Sequence, residues 1–169
     1  MLSADDILNA SILIVDDQAA NVQLLEQSLR GAGYSSITSE MNSREVLDLH
    51  RENSYDLILL DLHMPGMDGF LVMDELKKFE PQDMAMELPL KRQLQLREGH
   101  EEIVPGSYLP VIVITAHPNY KLRALKAGAQ DFISKPFKID EVLARVHNML
   151  EARLSHIETR IHNNALELK

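Results

Sequence analysis

YDLILLDLHMPGMDG, residues 55–69, is the stretch that decides the fold. Its first six residues read as a strand, and the unbroken apolar run Leu57 to Leu60 within them is the signature of burial on both faces. A carboxylate, Asp61, follows at once. Pro65, Gly66 and Gly69 then turn the chain, and 69–78 reads as a helix. The same grammar recurs outward in both directions. SILIV at 11–15 is a second buried strand, followed by Asp16 and Asp17. An amphipathic helix comes next, with Val22, Leu24, Leu25 and Leu29 on its apolar side and Gly31 and Gly33 as stop signals. A weaker strand is predicted over 34–39, and a helix over 42–51 with Asn42 or Ser43 as cap. LPVIVIT at 109–115 is the third strong strand, followed by a helix over 119–127 that Gly128 ends. A short strand over 131–134 leads into a long helix from 139. Repeated strand–helix units imply an α/β protein with a doubly wound, five-stranded parallel sheet. In such sheets the chemistry lies beyond the carboxyl ends of the strands.

Composition narrows the functional classes. The chain has 169 residues, 45% of them hydrophobic and 25% charged, which are ordinary globular values. It has no cysteine, so disulfides, thiolate metal sites and thiol nucleophiles are excluded. The formal charge is −9 and the basic residues do not cluster, which argues against nucleic-acid contact by this domain. No apolar run is long enough to span a bilayer, and MLSADDILNA lacks the basic start of a secretory signal, so a cytoplasmic location is the expectation.

Two stretches break the alternation. Residues 79–108 far exceed the usual connection of about 2–6 residues and read as an insertion before the fourth strand. It is expected at the amino ends of the strands, as a partner contact or a surface elaboration. Beyond Leu150, the spacing of Leu150, Leu154, Ile157 and Ile161 keeps the last helix amphipathic, with Asn164 interrupting the pattern. The expected organisation is a leader over 1–10, a core domain over 11–150, and a helical extension over 151–169 suited to signalling or homodimerisation.

The strand ends bring Asp16, Asp17, Asp61, Thr115 and Lys135 to one edge of the sheet. Three carboxylates packed together repel unless a cation sits among them. With no His or Cys ligand set, a hard, oxygen-seeking cation is implied, Mg²⁺ first and Mn²⁺ as a substitute. A lysine and a threonine beside such a site suit a phosphoryl group, and a carboxylate can itself be the nucleophile.

LIVDDQAAN (13–21), LDLHMPGMDGF (60–70), VIVITA (111–116) and AGAQDFISKPF (127–137), in that order and each at a strand end, resemble the receiver domain of bacterial two-component response regulators. The resemblance covers roughly 11–150 and implies the flavodoxin-like receiver fold. It implies that Asp61 is the phosphoacceptor, and that Asp17 ligates Mg²⁺ directly while Asp16 helps largely through water. The backbone carbonyl of His63 would complete the protein's share of the metal shell. Thr115 and Lys135 would contact the phosphoryl group, and a cis peptide would precede Pro136. Phe132, at the position of the family's switch aromatic, would turn inward as Thr115 moves. The implied donor is a sensor histidine kinase or phosphotransfer protein, and the implied readout is a conformational switch at the fourth helix, fifth strand and fifth helix. Such a domain is a signalling module rather than an enzyme.

Two alternatives compete. Aspartate-nucleophile phosphatases place Asp-x-Asp after the first strand, whereas Asp16-Asp17-Gln18 stands here. A pseudo-receiver would lack Asp17, Asp61 or Lys135, and all three are present. His63 and His117, each two residues beyond a strand-end site residue, flank the expected path of attacking water. They read as tuners of the phosphoryl lifetime with a pH dependence near neutrality, as solvent-facing side chains, or as a pair able to take Zn²⁺ or Ni²⁺. His156 lacks the context of a phosphodonor. Nothing after Leu150 is long enough for an output domain, so the chain either acts alone or is the receiver piece of a longer protein.

Overall fold

The structure, a computed structural model, describes residues 3–78 and 110–167, with side chains described to Ser155. Residues 79–108, expected to form an insertion, lie outside the described residues, as do the side chains of the tail stripe beyond Leu154. The elements in chain order are α1 (Ala4–Leu8), β1 (Ser11–Val15), α2 (Ala19–Gly31), β2 (Ser36–Glu40), α3 (Val46–Asn53), β3 (Leu57–Asp61), α4 (Gly69–Lys77), β4 (Val111–Thr115), α5 (Lys121–Lys126), β5 (Asp131–Ser134) and α6 (Ile139–Glu167). Short 3-10 turns at Ser43–Glu45 and Pro118–Tyr120 lead into α3 and α5.

The strands form one parallel sheet in the order β2-β1-β3-β4-β5. The central strand β3 is buried along its whole length, and so is β4, which is what a continuous apolar run between two helical layers requires. β2 lies at an edge and is mostly exposed, in keeping with its Ser, Thr and Glu content. Alternate strand residues supply two cores. Leu13, Val15, Ile58, Leu60 and Val113 pack against Val46, Val72, Met73, Leu76 and Ala124 on one face. Ile12, Ile14, Leu57, Leu59 and Ile112 pack against Val22, Leu25, Leu29, Val142, Val146 and Leu150 on the other. The doubly wound five-stranded sheet expected from the sequence is the observed one.

Several local expectations are corrected. Leu24 is not on the buried side of α2. It is 45% exposed, because Val22, Leu25 and Leu29 already mark the apolar stripe and position 24 lies about 100° of helical rotation away from it. β3 starts at Leu57 and takes Asp61 as its last residue. The leader folds as a helix. Ser3 Oγ accepts from the Asp6 N–H at 3.2 Å, and Ser3 N–H donates to Asp6 Oδ2 at 2.9 Å, a reciprocal capping box. Ile7 is buried in the α2/α6 core. α6 continues as helical backbone to Glu167. Among the described residues, no helix is long and apolar enough to cross a membrane.

Two glycines shape the loop after β3, for different reasons. Gly66 has φ +87°, a left-handed conformation that a side chain would strain. Gly69 instead permits close approach. A Cβ there would meet Leu62 Cα at 2.7 Å and Asp61 O at 3.0 Å, and its N–H donates to Leu62 O at 3.0 Å. The start of α4 therefore rests directly on the backbone that carries Asp61. Gly69→Ala is expected to destabilise the domain by about 1–3 kcal/mol through overpacking, measured as a lowered urea midpoint; an unchanged midpoint contradicts this packing.

Candidate functional site

β1, β3, β4 and β5 each end where an apolar run meets a polar residue, and the parallel register brings these ends together. β1 delivers Asp16, whose N–H donates to Glu40 O at the end of β2. Asp16 Oδ1 accepts from the Gln18 N–H at 2.9 Å, and Oδ2 accepts from Asn21 Nδ2 and Lys135 Nζ, each at 3.3 Å. β3 delivers Asp61, which is 4% exposed. Its Oδ1 accepts the His63 N–H at 3.1 Å, and its Oδ2 lies 3.4 Å from Lys135 Nζ. β4 delivers Thr115, fully buried, with Oγ1 accepting the His117 N–H at 3.2 Å. The Lys135 N–H donates to Thr115 O at 2.8 Å, which ties the exit of β5 to that of β4. The Lys135–Pro136 peptide is cis.

Asp16, Asp17, Asp61, Thr115 and Lys135 are thus gathered at one edge. Among the described residues one ammonium, Lys135, pairs with two of the three carboxylates, Asp16 and Asp61. Burial pushes the Asp61 carboxyl above the usual carboxylate range, and the negative charge of Asp16 adds to this. The His63 N–H and the Lys135 ammonium oppose it.

Oxygens of Asp16, Asp17 and Asp61 lie within 4.8 Å of one another. Asp17 Oδ1 is buried with no hydrogen-bond partner among the described residues. A buried acceptor left unsatisfied costs about 1–3 kcal/mol, and a hard divalent cation would satisfy it. The donor set is all oxygen, which suits Mg²⁺ rather than an ion that prefers nitrogen or sulfur. The residues present therefore fit a magnesium ion.

Phe132 is buried, packed in the same core as Val113, Ala124 and Ala129. The side chains of His63 and His117 meet at the mouth of the site, with ring centres 5.0 Å apart and planes tilted by 51°. Beside them is a row that sequence reasoning missed. Tyr120 lies 5.4 Å from His117 and edge-on to Phe70, and the Arg123 guanidinium sits 3.8 Å over the Phe70 ring. With Asp17 and His63, these residues line a cleft of about 500 Å³. Phe70 belongs to α4 and Arg123 to α5, so no local signal marks the pair. Gln18 and Asn21 were also missed, although polar residues opening a helix after an aspartate pair are a readable signal for groups that hold it.

The chain matches the family model for the response regulator receiver domain over residues 12–88 and 94–147. It is 33% identical over 141 residues to the uncharacterized transcriptional regulatory protein YkoG of Bacillus subtilis, covering 82% of this chain and 50% of that one. It is 35% identical over 157 residues to the response regulator PleD of Caulobacter vibrioides, covering 90% of this chain and 29% of that one. It thus spans half the length of the first relative and less than a third of the second. Among solved structures, a putative response regulator from Chloroflexus aurantiacus superposes with a TM-score of 0.65 at 27% identity, covering 85% of this chain and 98% of that one. The parallel sheet, the acidic cluster at its carboxyl edge and these likenesses lead to one conclusion: the chain belongs to the family of bacterial response regulator receiver domains.

Proposed function

We propose that Asp61 accepts a phosphoryl group from a phosphohistidine on a sensor histidine kinase or phosphotransfer protein. The observation that carries this reading is the placement of a buried Asp61 carboxylate 3.4 Å from the Lys135 ammonium, at the carboxyl edge that also holds the Thr115 hydroxyl. A carboxylate oxygen of Asp61 forms a bond to phosphorus as the bond to the donor imidazole nitrogen breaks, and that nitrogen keeps the electron pair. Lys135 balances charge on the phosphoryl oxygens. Thr115 donates its hydroxyl proton to one of them. Asp16, Asp17 and Asp61, with the backbone carbonyl of His63, would hold Mg²⁺, which when bound supplies the positive charge that a phosphoryl group needs beside three carboxylates. The ammonium is kept in place by Asp16 at 3.3 Å, and Asp16 by Gln18 and Asn21.

The phosphoryl charge then shifts a pre-existing equilibrium between two arrangements of the domain. Thr115 and Phe132 form the link. Thr115 moves toward the new oxygens, and Phe132, packed beside Ala124 of α5, follows it, altering the face made by α5, β5 and α6. That face would act on a partner protein or on an output domain in the same polypeptide. His63 and His117 bracket the approach of water to Asp61 and set how long the group persists. The domain works as a cytoplasmic signalling module, with only its own phosphorylation and dephosphorylation as chemistry.

Three outcomes follow. Incubation with a small-molecule phosphodonor and Mg²⁺ is expected to add the mass of one phosphoryl group to the wild type and none to Asp61→Asn; no gain in the wild type overturns the reading. In the same assay, replacing His63 and His117 together by Ala is expected to change the decay rate of the added mass by about tenfold; an unchanged decay rate removes the two side chains from lifetime control. The crowding of carboxylates also has a thermodynamic sign. Because the folded state holds Asp61 protonated more readily than the unfolded state, wild-type stability falls as pH rises from the ordinary carboxylate value through the raised folded value. In the presence of a chelator, Asp61→Asn is therefore expected to be more stable at neutral pH by on the order of 1 kcal/mol. The difference shrinks as pH falls through that window, and a difference independent of pH contradicts it.

A further inference from the structure

We infer that His63 and His117 form a second cation site, for a borderline-soft divalent ion such as Zn²⁺, separate from the all-oxygen cluster below it. Both residues start from backbone that the main site holds in place. The His63 N–H donates to Asp61 Oδ1 at 3.1 Å, and the His117 N–H donates to Thr115 Oγ1 at 3.2 Å. The two side chains leave adjacent strand ends and converge, with ring centres 5.0 Å apart and planes tilted by 51°. Two imidazoles sharing one tetrahedral zinc at about 2.0–2.1 Å bond length have ring centres about 5 Å apart. The observed separation of the ring centres, 5.0 Å, matches that value.

The rings are also available. Among the described residues, no hydrogen bond or ion pair engages either imidazole, and both residues are exposed. The other described histidines differ. His50 is buried, with Nδ1 accepting the Tyr55 N–H at 3.2 Å, and His147 lies 3.3 Å from Glu151 on an exposed helix face. The cleft that His63 lines holds two carboxylates, Asp17 and Asp68, against one guanidinium, Arg123, in a chain of formal charge −9, a balance that favours a cation. Ligand chemistry separates the two sites. Imidazole nitrogen suits Zn²⁺, Ni²⁺ and Cu²⁺, whereas the carboxylate cluster suits Mg²⁺. Water, or an oxygen of a group arriving at Asp61, would fill the remaining positions. The site is built by the unmodified protein, so it stands independently of phosphoryl acceptance.

The test is a zinc titration of the full chain by calorimetry in excess Mg²⁺, which keeps the carboxylate cluster occupied. The wild type is expected to bind one Zn²⁺, with affinity lowered at least about tenfold in His63→Ala or His117→Ala and lost in the double variant. Imidazole nitrogen resonances of the labelled wild type supply a readout that no variant's folding affects, and zinc is expected to shift those of His63 and His117 together. Unchanged zinc affinity in a folded double variant, or zinc shifts confined to other histidines, overturns the inference.

Discussion

Like charges forced together at the carboxyl edge of the sheet are the constraint on which the rest of the structure depends. Asp16 and Asp61 are nearly inaccessible, and one buried oxygen of Asp17 has no partner among the described residues. Among the described residues one ammonium, from Lys135, reaches the cluster, and it pairs with Asp16 and Asp61. Such a cluster lowers folding stability, and the rest of the fold offsets that cost. The strand ends are buried between two helical layers, and Gly69 seats α4 directly on the Asp61–Leu62 backbone. The imbalance left over makes the site responsive, because a divalent cation would complete a charge pattern that the protein alone leaves incomplete.

The fold was legible because its signals are local and repeated. SILIV, LILL and VIVIT are largely apolar runs that fit strands covered on both faces, and a site residue stands at or directly after the end of each: Asp16, Asp61 and Thr115. Less legible were features settled by three-dimensional packing. Leu24 looked like part of an apolar stripe and is exposed, because helical rotation carries it away from Val22, Leu25 and Leu29. The leader became a helix through the Ser3–Asp6 capping box, a signal present in the sequence but easily passed over in so short a segment.

The same division holds at the site. Asp16, Asp17, Asp61, Thr115 and Lys135 announce themselves at strand ends, and the topology brings them together. The walls of the cleft do not announce themselves. Phe70 of α4 meets Tyr120, in the turn before α5, and Arg123 of α5, and no sequence spacing relates Phe70 to the other two. The nearness of the His63 and His117 rings is likewise a product of adjacent parallel strands. Sequence placed each of them two residues past a site residue, and only the structure shows that they face each other.

The central claim is that Asp61 is the phosphoacceptor, and the most direct measurement locates the acyl phosphate. After treatment with a phosphodonor and Mg²⁺, reduction with borohydride and peptide mapping reports which carboxylate was modified. Modification confined to position 61 is the predicted result. Modification at Asp16 or Asp17, or at no carboxylate at all, would contradict it.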